Sequence, residues 1–147
     1  MNVICNSIKE TKKFAISLSK KMQKGQVIAL NGDLGSGKTT FSQGIAEGLG
    51  IKQHVGSPTF KLVSEYGGEV LKLYHVDCYR LNNSDEFLNL GGENLLLPDN
   101  GITLIEWANI IQELLPEDVI EIVFSRVKGE PDKRLLTIRG MDQPNER

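Results

Sequence analysis

Apolar residues recur at two different intervals along this chain, and the switches between those intervals mark out its elements. From Thr11 to Met22, the residues Phe14, Ala15, Leu18 and Met22 fall at helical spacing with lysines opposite, which predicts an amphipathic helix. Gly25 ends it, and the unbroken run Val27-Ile28-Ala29-Leu30 predicts a strand. A second helix is expected from about Gly37 to Leu49, with Phe41, Ile45 and Leu49 on one face and Gly50 closing it. Gly44 and Gly48 each weaken that helix by about 1 kcal/mol relative to Ala.

Further along, Phe60 to Tyr66 and Val70 to Asp77 read as two extended runs joined at Gly67-Gly68, a hairpin signal. Ser84 is expected to cap a short helix whose first turn carries Asp85 and Glu86. Leu95 to Asn100 reads as a connection containing Pro98. The short apolar run Ile102-Thr103-Leu104-Ile105 predicts a buried strand ending at Glu106. Ala108 to Leu115 reads as a helix stopped by Pro116. Val119 to Phe124 and Leu135 to Arg139 read as strands around the polar turn Lys128 to Lys133. Met141 to Arg147 is polar and expected to fray. Helices and strands alternate with one hairpin inserted. The expected fold is therefore α/β, a P-loop NTPase-like three-layer sandwich around a mixed, mostly parallel sheet. Residues 1–140 form one domain in this reading, and 141–147 a tail.

Composition narrows the class. A chain of 147 residues, 39% apolar and 24% charged, suits one soluble domain with a real core. A net charge of −2 argues against a basic nucleic-acid-binding face. No apolar run approaches a membrane span, and Met1-Asn2-Val3-Ile4-Cys5 lacks the regions of a signal peptide. Cys5 and Cys78 stand apart without C-x-x-C spacing and read as reduced thiols of a cytoplasmic protein. With His54 and His75 they show no ligand spacing for zinc.

Candidate chemistry centres on Gly32-Asp33-Leu34-Gly35-Ser36-Gly37-Lys38-Thr39, which fits the phosphate-binding pattern G-x-x-x-x-G-K-[ST]. A strand precedes it and a helix follows, the context that gives the pattern its meaning. Glycines let successive backbone N–H groups point at phosphate, and the helix N-terminus adds unpaired donors and partial positive charge. Lys38 would reach the β- and γ-phosphates, and the Thr39 hydroxyl would bind Mg²⁺. Hydrolysis needs a second strand to hold Mg²⁺ and a group to orient water. Glu106, at the tip of a buried strand, would hold Mg²⁺ directly or through water. A single Glu followed by Trp107 stands where Asp is usual, so the division of roles with other acids stays open. In extended geometry His75, Asp77 and Tyr79 share one face. Asp77 is thus a second candidate Mg²⁺ ligand or water-orienting base, and His75 would support it by a hydrogen bond. Thr59, in the loop Ser57-Pro58-Thr59, sits where a switch loop would sense phosphate. Arg80, Arg126, Arg134 and Arg139 are candidate charge-stabilising residues with nothing to choose among them. Trp107 reads equally as a neighbour of the nucleotide and as a core filler. The guanine-reading N-K-x-D motif is absent, which favours ATP.

Four blocks together carry a resemblance. Gly32 to Phe41, Ser57-Pro58-Thr59-Phe60-Lys61-Leu62-Val63, His75-Val76-Asp77-Cys78-Tyr79-Arg80-Leu81 and Ile105-Glu106-Trp107 occur in the order, and near the spacing, of the TsaE family. The chain resembles that family over about residues 5 to 140. The resemblance implies an ATPase of tRNA threonylcarbamoyladenosine (t6A) synthesis that binds ATP with Mg²⁺ and hydrolyses it slowly alone. It implies association with a TsaD–TsaB complex, in which TsaD transfers the threonylcarbamoyl group to tRNA, so that tRNA is met indirectly. Carried onto this chain, Asp33, Leu34, Gly35, Ser36, Gly37, Lys38, Thr39 and Thr40 contact the nucleotide. Thr39 and Glu106 are the implied Mg²⁺ ligands, and Asp77 is the acid needed for hydrolysis. Thr11 is placed near the adenine, and the turn at Lys128-Gly129 approaches the nucleotide. Two positions depart from the family pattern: Ser36 stands for the usual Ala, and Asn109 stands where many members have an acid. Any role of that acid in placing water or a partner lacks its carrier here. Two other readings stay beside this one: a small-molecule kinase, for which no Arg-rich lid insertion is visible, and a nucleotide-sensing module with little hydrolysis.

Overall fold

The computed structural model describes residues 1–32, 37–56 and 62–141. Its centre is a seven-stranded mixed sheet in the order β1-β7-β6-β2-β5-β4-β3. The strands are β1 Asn2–Cys5, β2 Val27–Asn31, β3 Val63–Tyr66, β4 Lys72–Asp77, β5 Gly101–Glu106, β6 Ile120–Val127 and β7 Glu130–Arg139. The neighbours β6, β2, β5 and β4 run parallel, and antiparallel partners flank them on both sides. Helices α1 Ile8–Ser19 and α2 Lys38–Gly48 cover one face, and α3 Ser84–Asn89 with two 3₁₀ segments, Gly92–Leu96 and Ala108–Leu114, covers the other. The expected three-layer α/β sandwich is the observed one.

Both faces of β2 are buried, so its side chains divide between two cores. Ile28 and Leu30 join Phe41, Ile45, Leu104, Ile122 and Phe124 beneath α1 and α2. Val27 and Ala29 join Val76, Phe87, Ile105 and Ile111 on the opposite face. A strand buried on both sides has no polar side to alternate with, which is why its sequence is continuously apolar. Phe41 and Phe124 meet edge to face with centroids 5.4 Å apart, fixing α2 over β6.

Several boundaries differ from expectation for identifiable reasons. Strand β1 was unforeseen; it pairs antiparallel with β7, Asn2 opposite Thr137 and Cys5 opposite Arg134. The first helix begins earlier, at Ile8, because Ser7 caps it by accepting a hydrogen bond from the Glu10 N–H at 3.1 Å. In α3 the cap is Asn83 rather than Ser84: its side-chain oxygen accepts from the Glu86 N–H. The expected Ala108 to Leu115 helix is a 3₁₀ segment with non-helical dihedrals at Ile111. The hairpin of β3 and β4 forms in the register Tyr66 opposite Leu73, and β3 starts at Val63. Residues 60 and 61 of the expected first run lie outside the described residues. So do 142–147 of the expected tail, whereas Met141 packs against the α1–α2 core.

Candidate phosphate site

The carboxyl ends of parallel strands in an open α/β sheet form the edge where ligands bind. Three such ends lie side by side here. Glu106, last in β5, is opposite Leu30 of β2 on one side and Asp77, last in β4, on the other. Strand β2 then runs through Asn31 and Gly32 towards α2, whose first residue is Lys38. Gly37 caps α2 with φ +106°, a left-handed conformation that a Cβ would strain.

Lys38 is 4% exposed. Its Nζ donates to the Gly32 carbonyl at 2.6 Å and lies 3.7 Å from the centre of the Trp107 ring. The ammonium is thus held between a carbonyl and an aromatic face. Trp107 also meets Tyr79, with ring centroids 5.0 Å apart. Its two possible readings are thereby narrowed: the half-buried indole sits beside Lys38. Among the described residues it is the one non-glycine with positive φ, 58°, because β5 turns sharply into the following 3₁₀ segment. Bulky residues rarely adopt that region, so the turn is strained where it presents the indole.

Glu106 is 3% exposed, and its Oε2 lies 2.6 Å from Nε2 of the fully buried His75. This corrects the sequence reading, which paired His75 with Asp77. Residues two apart on one strand share a face, but the strand that lies alongside is invisible in sequence, and β5 brings Glu106 within reach. Asp77, 7% exposed, accepts from the Tyr79 N–H through Oδ1 at 2.9 Å. Asp77 is therefore both strand end and turn former. Next to it, burial and the Asp77 charge push the Cys78 thiol up to about 12.

Other expected site residues fall as follows. Thr39 is exposed and Thr40 half-buried in the first turn of α2. Thr11 is buried in α1, where its hydroxyl donates to the Ser7 carbonyl at 3.3 Å. Gly129, φ +81°, turns β6 into β7. Asn109 is held by its backbone, its N–H donating to Asn31 Oδ1 at 2.9 Å. Asp33, Leu34, Gly35, Ser36 and Thr59 lie outside the described residues. Among the four arginines, Arg134 runs alongside Gly37, where a Cβ would stand 3.9 Å from its Nε. Its Nη1 donates to the carbonyls of Pro131 and Lys133. No local pattern marks it, because the β7 hairpin brings it there from far along the chain.

The Thr39 hydroxyl and the two strand-end carboxyl groups are oxygen donors, the chemistry that suits a hard cation such as Mg²⁺, which keeps several waters and takes few protein ligands. A helix start with a buried lysine suits phosphate. Fold and loop sequence together define the class, a P-loop NTPase-like α/β protein. A family model described as "Threonylcarbamoyl adenosine biosynthesis protein TsaE" matches residues 5–135. The tRNA threonylcarbamoyladenosine biosynthesis protein TsaE of Bacillus subtilis is 43% identical over 126 residues, 86% of this chain and 77% of that protein. Its counterpart in Rickettsia bellii is 40% identical over 136 residues, 92% of each chain. The Treponema pallidum protein of the same name is 35% identical over 122 residues, 83% of this chain and 89% of its own. The crystal structure of Bacillus subtilis YdiB superimposes with a TM-score of 0.75 at 38% identity, covering 94% of this chain and 83% of that one. The chain belongs to the TsaE family. Among the described residues no helix is long and apolar enough to cross a membrane.

Proposed function

We propose that this protein is the Mg²⁺-dependent ATP-binding and ATP-hydrolysing subunit of t6A formation on tRNA, acting on a TsaD–TsaB complex in the cytoplasm. The observation that supports this reading most is the line of groups at one sheet edge. Lys38 starts α2, which follows β2 and the G-x-x-x-x-G-K-T sequence, and Glu106 and Asp77 end the next two parallel strands beyond β2, in register.

In this reading the backbone from Asp33 to Gly37 cradles the phosphates, and Lys38 leaves Gly32 and the indole to meet the β- and γ-oxygens. Thr40 contacts the nucleotide from the first turn of α2, Thr59 senses the γ-phosphate, and the Gly129 turn and Thr11 lie towards the nucleoside. Mg²⁺, when bound, would supply charge that offsets the charge developing on the phosphates. Thr39 and Glu106 would hold that ion, while Asp77 would either join them or orient the attacking water. Desolvation strengthens each of these interactions, since Lys38, Asp77 and Glu106 are buried. The chain's own charge of −2 fits an indirect role towards tRNA, which the partners would grip.

Phosphate release measured with and without TsaD–TsaB tests the proposal. Release that rises when the partners are added supports it. Phosphate appearing on a metabolite would establish a kinase instead. Nucleotide-dependent partner binding without release would establish a sensor.

A further inference from the structure

Among the described residues, the His75 imidazole is the buried polar group at this edge with no task in the chemistry above. It is fully buried in β4, between Ser64 of β3 and Leu104 of β5 in register. Its Nε2 stands 2.6 Å from Glu106 Oε2. With Glu106 as the acceptor of this bond, Nε2 is the donor. The other ring nitrogen, Nδ1, has no hydrogen-bond partner among the described residues. An aliphatic side chain would fill the same space without leaving a buried polar atom unpaired, which is a cost. Packing alone thus gives no reason for an imidazole here, whereas the bond to Glu106 does.

We propose that His75 is a positioning residue for Glu106. By holding Oε2 against β4 it fixes the rotation of the carboxylate and leaves Oε1 to serve a cation or a cation-bound water, so that Glu106 binds through one oxygen. His75 itself touches neither nucleotide nor ion. This inference rests on the proposed Mg²⁺–ATP site. Hydrogen-bonded partners of ligating groups commonly govern metal affinity in this way.

The test is calorimetric titration of Mg²⁺ into the full chain with a non-hydrolysable ATP analogue, for wild type, H75A, H75Q, E106Q and the H75A/E106Q pair. H75A is expected to weaken Mg²⁺ binding about tenfold or more, with analogue affinity in the absence of metal changed by less than about twofold. H75Q, whose amide N–H stands near the place of Nε2–H, is expected to recover to within about threefold of wild type. The double variant is expected to be no weaker than E106Q alone, because His75 acts only through that carboxylate. Should H75A fail to fold, H75L, which fills the space without a donor, takes its place both in the affinity comparison and in the cycle with E106Q, with the same outcomes expected. Wild-type Mg²⁺ affinity in H75A overturns the proposal, as does a double variant whose losses multiply. A wild-type chain that binds the analogue without any Mg²⁺ dependence overturns the underlying site reading, and this inference with it.

Discussion

Lys38 rests between the Gly32 carbonyl and the Trp107 ring, so its charge is solvated by protein groups. Replacing it with Ala removes a buried side-chain cation from the head of α2. Lys38→Ala is expected to lower ATP hydrolysis by about 10²-fold or more, the scale of losing one preorganised charge-stabilising donor. Phosphate-release assays at saturating ATP check this, and unchanged turnover would sink the assigned role. Glu106→Gln keeps the shape of the side chain but not its charge. It is expected to fold normally and to need about 10- to 100-fold more Mg²⁺ for half-maximal turnover. A wild-type Mg²⁺ titration would count against Glu106 as a ligand. At this scale the sequence was legible wherever a residue acts with its chain neighbours. The loop motif and the acid ending a buried strand were readable in that way. Contacts across strands were not: neither the His75–Glu106 bond nor Arg134 against Gly37 leaves a mark in local spacing.

Helices α1 and α2 pack face to face, and two glycines of α2 let them approach. A Cβ on Gly44 would stand 2.6 Å from the Ala15 Cβ and 2.7 Å from the Lys12 carbonyl oxygen. The sequence shows these glycines as weak points in a helix and leaves close packing at Gly44 open; the neighbour that fits there only the fold supplies. Gly44→Val is expected to destabilise the protein by about 1–3 kcal/mol, because overpacking outweighs the gain in helix propensity. By contrast, Gly67→Ala meets nothing within 4 Å and is expected to change stability by less than about 0.5 kcal/mol. Urea melts of the two variants separate the effects, and a Gly44→Val protein as stable as wild type would refute the close approach. Elements with long periodic patterns were readable at this scale. Those set by a single cap or a strained turn were not, as Asn83 and Trp107 illustrate.

The molecule as a whole buries both of its thiols. Burial raises the Cys5 thiol above its usual 9.0, although a hydrogen bond from Thr11 opposes this, and it raises Cys78 to about 12. The folded chain keeps these protons at a pH where the unfolded chain gives them up. Their contribution is therefore complete below pH 9 and is lost as pH rises past it, towards about 12 for Cys78. Each thiol steepens the alkaline loss by at most about 1.4 kcal/mol per pH unit. Urea melts at pH 8 and pH 10 are expected to show a smaller difference for Cys5→Ala than for wild type, and equal differences would refute the assignment. Alternation of helix and strand was enough to give the sandwich at this scale. Strand β1 escaped notice because four residues with one buried side chain carry too little periodicity to announce a strand.

That short strand has a consequence for how the chain reaches its final form. Its pairs join Asn2 to Thr137 and Cys5 to Arg134, and the Ile138 N–H donates to the Met1 carbonyl at 2.8 Å. Every one of these bonds spans nearly the whole described sequence, so β1 has nothing to pair with until β7 exists. On a ribosome, the central strands β2, β5 and β4 can assemble while the growing chain is still tethered. The outer edge must wait, and a chain stalled before Glu130 carries β1 as a loose, unpaired segment. Completion of the sheet is thus a signal, written in the topology, that synthesis has passed the last strand.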